Sequence, residues 1–361
     1  MKYKTLGKTG LIVSEICLGT MTFGGDGFWK AIGAQDQDEA SNLVGGAFDQ
    51  GVIFFDTADV YANGLSEIML GKAVIDKGLR RDEIVIATKG YGRVQDLLLS
   101  DAAPDATKEA LRRTKVRNIS GNSRKHMFDA IDASLKRLNM DYVDLYQIHG
   151  QDPLTPVEEV VETLDAIVKS GRARYVGLCN CAAWYTAKAL GISERRNLAK
   201  FSSMQMHYTI ASRDLEREIV PLVQSEGLSI LPWSPLSGGL LTGKYKRDQA
   251  GPNDARRTAF DFPPVDKNRA FDCVDVMETI AATHGVSVAQ IALAWLLHRP
   301  WVTSVIVGAK TQDQLNDNIA ATTVRLTPED MVALDNVSAL PPEYPGWMLD
   351  QQGADRRNSV D

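Results

Sequence analysis

The sequence predicts an α/β fold of the (β/α)8 TIM-barrel type, and three observations carry that expectation. Eight strand-like apolar runs recur along the chain, at 15–20, 52–56, 84–89, 143–149, 174–179, 203–206, 228–233 and 303–308. The segments between them have helical periodicity. Polar residues with chemical use stand at or just past the ends of three runs: Asp56 and Tyr61, Lys89, and His149. Eight strands alternating with helices favour a parallel sheet, and the regularity of the units favours closure into a barrel over a doubly wound sheet.

The elements follow in order. Residues 1–14 read as a short hairpin around the turn at 7–10. In 38–50, apolar positions 40, 43, 44, 47 and 48 share one helical face, and in 156–170 positions 157, 160, 161, 164, 167 and 168 do so. Pro156 suits a first helical turn, and Gly51 and Gly171 suit helix ends. A barrel of this type needs about 250 residues, so the 361-residue chain has a surplus. That surplus is the hairpin, two long inserts at 90–122 and 237–269, an added helix at 266–284 before the one at 286–298, and a tail. Both inserts follow strands and so stand on the C-terminal face. Residues 1–340 form a single barrel domain and 341–361 a polar tail. In that tail Tyr344, Pro345, Trp347 and Met348 form an apolar patch, expected to fold over the barrel mouth or to dock on a neighbouring subunit.

The composition is 44% hydrophobic and 24% charged, ordinary for a globular chain. A formal net charge of −6 points away from nucleic acid and from acidic membrane surfaces as partners. No apolar run is long enough for a membrane span, and the first residues do not read as a signal peptide. Cys17, Cys179, Cys181 and Cys273 fit no zinc spacing and read as reduced thiols of a cytoplasmic protein. No metal site is expected, and a homo-oligomer is compatible with the sequence.

The four polar residues make a proton-delivery set once gathered at one barrel rim. A hydride arriving at a carbonyl carbon leaves negative charge on oxygen, so a proton must follow. A tyrosine hydroxyl is a weak acid, with a reference pKa of about 10, and a nearby ammonium favours its phenolate. Lys89 supplies that charge, Asp56 keeps Lys89 ionised, and His149 hydrogen-bonds the substrate oxygen or relays the proton. Singly, each residue has a plainer role: a turn cap, a packing ring, a solvated strand end, a local hydrogen bond. Together, at the ends of three strands, they mark the face where barrel enzymes do chemistry.

Other catalytic patterns fall away. No G-x-G-x-x-G follows a strand, and there is no H-E-x-x-H or G-x-S-x-G. Gly238 to Lys244 matches G-x-x-x-x-G-K, but Tyr245 stands where a P-loop needs Ser or Thr for magnesium. Its amides, and the loop from Gly308 to Thr311 before the helical stretch 312–321, remain fit to cradle a phosphate.

The chain resembles the aldo-keto reductase superfamily, in its bacterial or potassium-channel-beta-like branch, over about residues 1–340. The motifs are FFDTADVY (54–61), ATKG (87–90), DYVDLYQIHG (141–150), YVGLCN (175–180), LPWSPLSGGLLTGKY (231–245) and GAKTQDQLNDN (308–318). The resemblance implies a nicotinamide dinucleotide across the C-terminal mouth. Tyr61 is then the general acid, Lys89 and Asp56 its tuning pair, and His149 the imidazole that orients substrate. Asn180 and Gln205 match residues that bond the nicotinamide carboxamide, with Cys179 where many members carry Ser. Trp233 matches the aromatic that stacks on the ring. Ser234, Pro235, Leu236, Gly238 and Lys244 match the pyrophosphate loop, and Gly308, Lys310, Gln314 and Asn318 the adenosine end. Thr20, Met21 and Asp56 are further cofactor positions. Lys310 stands where many NADPH-preferring members carry Arg, and it is still a cation for a 2′-phosphate. NADP is thus the expected cofactor, with NAD possible.

The expected function is reversible reduction of an aldehyde or ketone. The alternatives are a cofactor-binding regulatory subunit with little turnover, like the potassium-channel beta subunits, and a barrel lyase or isomerase without nicotinamide. Phe23, Phe28, Trp29 and Tyr91 are expected to form an apolar substrate wall with His149. The sequence does not specify the substrate itself.

Overall fold

The computed structural model describes residues 1–25, 27–94, 117–247, 256–357 and 359. Ten strands are described. β1 (Tyr3–Thr5) and β2 (Ile12–Ser14) pair antiparallel as a hairpin. The remaining eight form one parallel sheet: β3 (Ile16–Gly19), β4 (Phe54–Asp56), β5 (Val85–Gly90), β6 (Val143–Ile148), β7 (Ala173–Cys179), β8 (Phe201–His207), β9 (Ser229–Trp233) and β10 (Val305–Val307). Their order, β10-β3-β4-β5-β6-β7-β8-β9, follows the chain around a ring. Ile230 closes it: its amide donates to the Trp301 carbonyl and its carbonyl accepts from the Thr303 amide, both at 3.1 Å. The eight runs read from sequence are these eight strands, with ends shifted by up to two residues.

Strand alternation sorts the side chains. Cys17, Phe54, Val85, Ala87, Leu145, Leu231 and Ile306 pack together inside the barrel. Their chain neighbours Ile16, Leu18, Phe55, Ile84, Ile86 and Tyr146 join the larger core between strands and helices. Period two then continues each inward file upward: Phe54 to Asp56, Val85 and Ala87 to Lys89, Leu145 to Gln147, Leu231 to Trp233. The barrel is apolar at its N-terminal end and polar at the other.

The hairpin plugs the apolar end. Leu6 and Val13 are fully buried and belong to the interior cluster. The Gly7 amide donates to Ser229 Oγ at 2.6 Å. Gly7 has φ +57°, and a Cβ there would lie 2.4 Å from the Ser202 carbonyl oxygen, so no other residue fits this approach.

The helices start and stop on local signals. Helix Gln37–Asp49 opens with a capping box between Asp36 and Glu39, and Gly51 follows it at φ +86°. Helix Val157–Lys169 begins one residue after Pro156, which caps it instead of entering its first turn. The added helix, Lys267–His284, and its successor, Val288–Leu297, lie where periodicity placed them. No single described helix is long and apolar enough to cross a membrane. Residues 95–116 and 248–255 of the two inserts lie outside the described residues. The tail contains a helix, Gly346–Arg357. It is tied at its root, where Arg217 donates to the Pro341 carbonyl at 3.1 Å and pairs with Glu343 at 3.2 Å. Of the expected patch, Tyr344, Pro345 and Trp347 stay exposed and Met348 is half-buried.

The plug gives a stability test. Leu6→Ala deletes side-chain volume that the interior cluster encloses, and should cost about 2–5 kcal/mol in urea unfolding. Because the plug lies at the barrel end opposite the polar residues, ligand affinity should be unchanged. A loss under 1 kcal/mol would show that the hairpin is dispensable for closure.

Candidate active site at the C-terminal mouth

The inward files bring Asp56, Lys89 and His149 to one rim, and a tight turn, Tyr61–Gly64, with Ala62 and Asn63 in the left-handed region, adds Tyr61. Lys89 is fully buried and Asp56 is 2% exposed, so this ion pair is shut off from water. The Lys89 ammonium donates to Asp56 Oδ1 at 2.5 Å, to the Thr57 carbonyl at 2.8 Å and to the Tyr61 hydroxyl at 3.4 Å. The His149 ring meets the Tyr61 ring edge-on, with centroids 5.7 Å apart. The expected tetrad therefore assembles.

The electrostatics follow from that geometry. Burial works against the Lys89 charge, but Asp56 foremost and then Tyr61 outweigh it and hold Lys89 above its usual range. Burial also acts on Tyr61. It pushes the phenol up to about 12, and the Lys89 ammonium only partly opposes it. The sequence reading gave the ammonium the upper hand; desolvation wins because the hydroxyl has little water to stabilise a phenolate. Tyr61 thus keeps its proton. Burial, joined by the Lys89 charge, pushes His149 down to about 3, so its imidazole is neutral. A neutral ring can make one hydrogen bond from each nitrogen and is no proton store.

Two glutamines complete the Asp56 shell. Gln205 Nε2 donates to Asp56 Oδ2 at 2.9 Å and Gln147 Nε2 lies 3.4 Å from the same oxygen. Gln205, read from sequence as a carboxamide ligand, is here turned toward the carboxylate. Gln147 was missed, although the file Leu145, Gln147, His149 points to it.

Asn180 and Trp233 stand beside the tetrad. Trp233 Nε1 donates to Asn180 Oδ1 at 3.0 Å, and Asn180 Nδ2 donates to the His149 carbonyl at 3.1 Å. The Trp233 ring neighbours His207 and Phe262, with centroids at 4.8 and 6.0 Å. Burial keeps the neighbouring Cys179 thiol protonated.

From Ser234 a groove of about 610 Å³ runs outward. It gathers Ser234, Pro235, Leu236, Gly238 and Lys244 from the loop after β9 with Gly308, Lys310, Gln314 and Asn318 after β10. All nine were selected from sequence, in two distant segments. Thr311 caps helix Gln312–Ala320 at its rim. Arg256 also lines the groove and was missed, since it sits in an insert without periodicity. Three cations, a helix N-terminus and a glycine-bearing loop suit a ligand carrying phosphates. The donor set therefore fits a dinucleotide.

Two expected contacts are corrected, and a third lies outside the described residues. Phe23 is fully buried in the main core, against the outer faces of the strands, and presents nothing to a substrate. Thr20 is also fully buried; its hydroxyl bonds Ser66 at 2.8 Å, which leaves Met21 and Thr22 as the partly exposed residues of that loop. The side chain of Phe28 lies outside the described residues. Trp29 does reach the site, its ring edge-on to Tyr61 at 5.9 Å, and Tyr91 is partly exposed after β5. Among the described residues no His, Cys, Asp and Glu cluster could hold a metal ion.

Fold and site define a (β/α)8 barrel protein, with a protonated tyrosine beside a buried ion pair at its mouth and a cation-lined groove next to it. The comparisons with known proteins narrow this. The model of the aldo/keto reductase family matches residues 15–339, and the chain belongs to that family, whose members use nicotinamide cofactors. It is 34% identical to an uncharacterized oxidoreductase of Bacillus subtilis over 96% of this chain and 100% of that protein. It is 36% identical to a probable voltage-gated potassium channel subunit beta of Oryza sativa, over 94% of this chain and 96% of the other. It is 33% identical to a putative aryl-alcohol dehydrogenase of Schizosaccharomyces pombe, over 92% and 94%.

The protonation of His149 can be read directly. Its ring proton resonances should not titrate between pH 5 and 8 in NMR spectra assigned with a His149→Gln control. Because its pKa is lowered to about 3, any protonation belongs below that window. A midpoint near 6.5 would show that the imidazole is a proton carrier.

Proposed function

We propose that the chain is an NADPH-dependent carbonyl reductase, reversible toward the alcohol, with Tyr61 as general acid. The observation that carries this reading is the buried Lys89 ammonium, 2.5 Å from Asp56 and 3.4 Å from the Tyr61 hydroxyl. A bound nicotinamide supplies the hydride for the carbonyl carbon. As charge builds on the carbonyl oxygen, the Tyr61 hydroxyl gives up its proton to it. Lys89 stabilises the tyrosinate left behind, and Asp56 keeps Lys89 charged and aimed. Neutral His149 fixes the same oxygen by a hydrogen bond. Trp29, edge-on to Tyr61, supports an aromatic carbonyl substrate, as does the likeness to aryl-alcohol dehydrogenases.

The cofactor would be held along the groove. Lys310 takes the 2′-phosphate, with Gly308, Gln314 and Asn318 at the adenosine. Lys244 and Arg256, with Ser234, Pro235, Leu236 and Gly238, take the pyrophosphate. Asn180 would face the carboxamide, with Gln205 behind it on Asp56, Trp233 would face the ring, and Met21 the mouth. Four buried, unpaired thiols support a reducing, cytoplasmic setting.

The likeness to channel beta subunits supports a second reading, a regulatory subunit that binds the cofactor and turns over little. Steady NADPH oxidation with an aromatic aldehyde separates the two.

Replacing Tyr61 by Phe should lower kcat by about 10²–10⁴-fold while tryptophan-fluorescence titration shows unchanged NADPH affinity. A variant that keeps a tenth of wild-type turnover removes Tyr61 from the proton path. Lys310→Ala should weaken NADPH by about 1–3 kcal/mol and leave NADH nearly unchanged. Equal losses for both cofactors would show that Lys310 does not read the 2′-phosphate.

A further inference from the structure

Asp59 lies two residues before Tyr61 and is fully buried. Its amide donates to the Lys89 carbonyl at 3.1 Å, which ties the turn after β4 to the end of β5. Neither carboxyl oxygen has a full hydrogen bond among the described residues. The amides of Val60 and Tyr91 face them short of ideal geometry.

The charged groups around Asp59 do not balance it. Glu67, from helix Leu65–Asp76, is fully buried and accepts Arg137 Nε on one oxygen and the Thr88 hydroxyl on the other, both at 2.6 Å. Arg137 comes from helix Arg124–Leu138 and is engaged by that pair. Tyr146, on β6, is neutral, its phenol pushed up by burial and then by Asp59. Lys89, on β5, turns its ammonium to Asp56. One guanidinium therefore serves two carboxyls, and Glu67 has it. Arg137 also braces the turn: at Gly64, φ +91°, a Cβ would lie 2.6 Å from its Cδ.

We propose that Asp59 is a positioning residue, a protonated neutral carboxyl that packs the Tyr61 turn against β5, and that its ionisation loosens this turn and slows proton delivery. The proposal rests on the carbonyl-reductase reading. Burial first, then the Glu67 charge, push the Asp59 carboxyl up to about 8, against the pull of Arg137. That lies well below the Tyr61 phenol, at about 12, so the two ionisations are separable.

The consequence for stability has a definite sign. The folded chain keeps the Asp59 proton up to about pH 8, whereas an unfolded chain loses it near 3.8. The folded state binds more protons between those limits, so this contribution falls as pH rises through the window and is gone above it.

The test compares the full-length wild type with Asp59→Asn, neutral and nearly isosteric, and Asp59→Ala. Single-turnover reduction of benzaldehyde by NADPH is followed from pH 6 to 10, and thermal unfolding from pH 5 to 9. Wild-type rate should fall above about pH 8. Asp59→Asn should match the wild type at pH 7 and extend the plateau by at least about one pH unit, given the gap between the two ionisations. Asp59→Ala should lose about tenfold or more at pH 7, the loss expected when packing no longer holds a catalytic group in place. The stability advantage of Asp59→Asn over wild type should widen as pH rises toward 8. An unshifted alkaline limb in Asp59→Asn overturns the proposal, as does equal loss in both variants. Should the wild type show no turnover, the carbonyl-reductase reading fails instead. The unfolding comparison still reports on Asp59, and a pH-independent gap there overturns its assigned protonation.

Discussion

The site depends on one constraint: a lysine ammonium with no exposed surface must be neutralised where it stands. Desolvating an ion costs several kcal/mol even after the protein relaxes, and removal of one partner from such a pair costs about 3–5 kcal/mol. Asp56 meets this requirement from the adjacent strand, and Gln205 and Gln147 fix its second oxygen. The ammonium is thereby held against the Tyr61 hydroxyl. It works there in a poorly solvated place where its charge is weakly screened.

Barrel geometry makes that arrangement economical. Each strand contributes every second residue to the interior. An apolar lower half and a polar upper half therefore follow from substitutions along a single file. The hairpin closes the lower half with Leu6 and Val13. The upper half stays open, and the loops that follow the strands bring Tyr61, Trp29, Asn180 and the groove to it. Stability and chemistry thus occupy opposite ends of one cylinder, as the fold generally arranges them.

A second buried charge system lies behind the first. Glu67, Arg137 and Asp59 share the space between the Tyr61 turn, β5 and two helices. The Asp56–Lys89 pair closes its own charge balance, while this set leaves one carboxyl without a cation. On the proposed reading, the two aspartates that precede Tyr61 have different tasks. Asp56 keeps Lys89 charged, and Asp59 would bear on where the Tyr61 turn is held.

The sequence by itself determined the elements and the tetrad. Periodicity and caps such as Asp36 with Glu39 act within a few residues. Inward files of period two carry Asp56, Lys89 and His149 to one rim without further information. The family motifs added the two segments that meet in the groove. Only the tertiary structure decided who pairs with whom. It buried Phe23 and Thr20, which the sequence had offered to ligands, and it turned Gln205 toward Asp56. It brought Arg256 into the groove and left the tail patch of Tyr344 and Trp347 exposed. It also gave Glu67 an arginine 70 residues away, and so left Asp59 without one. The physical reason is range: backbone preferences are local, whereas desolvation and charge balance depend on every chain segment that packs around a group.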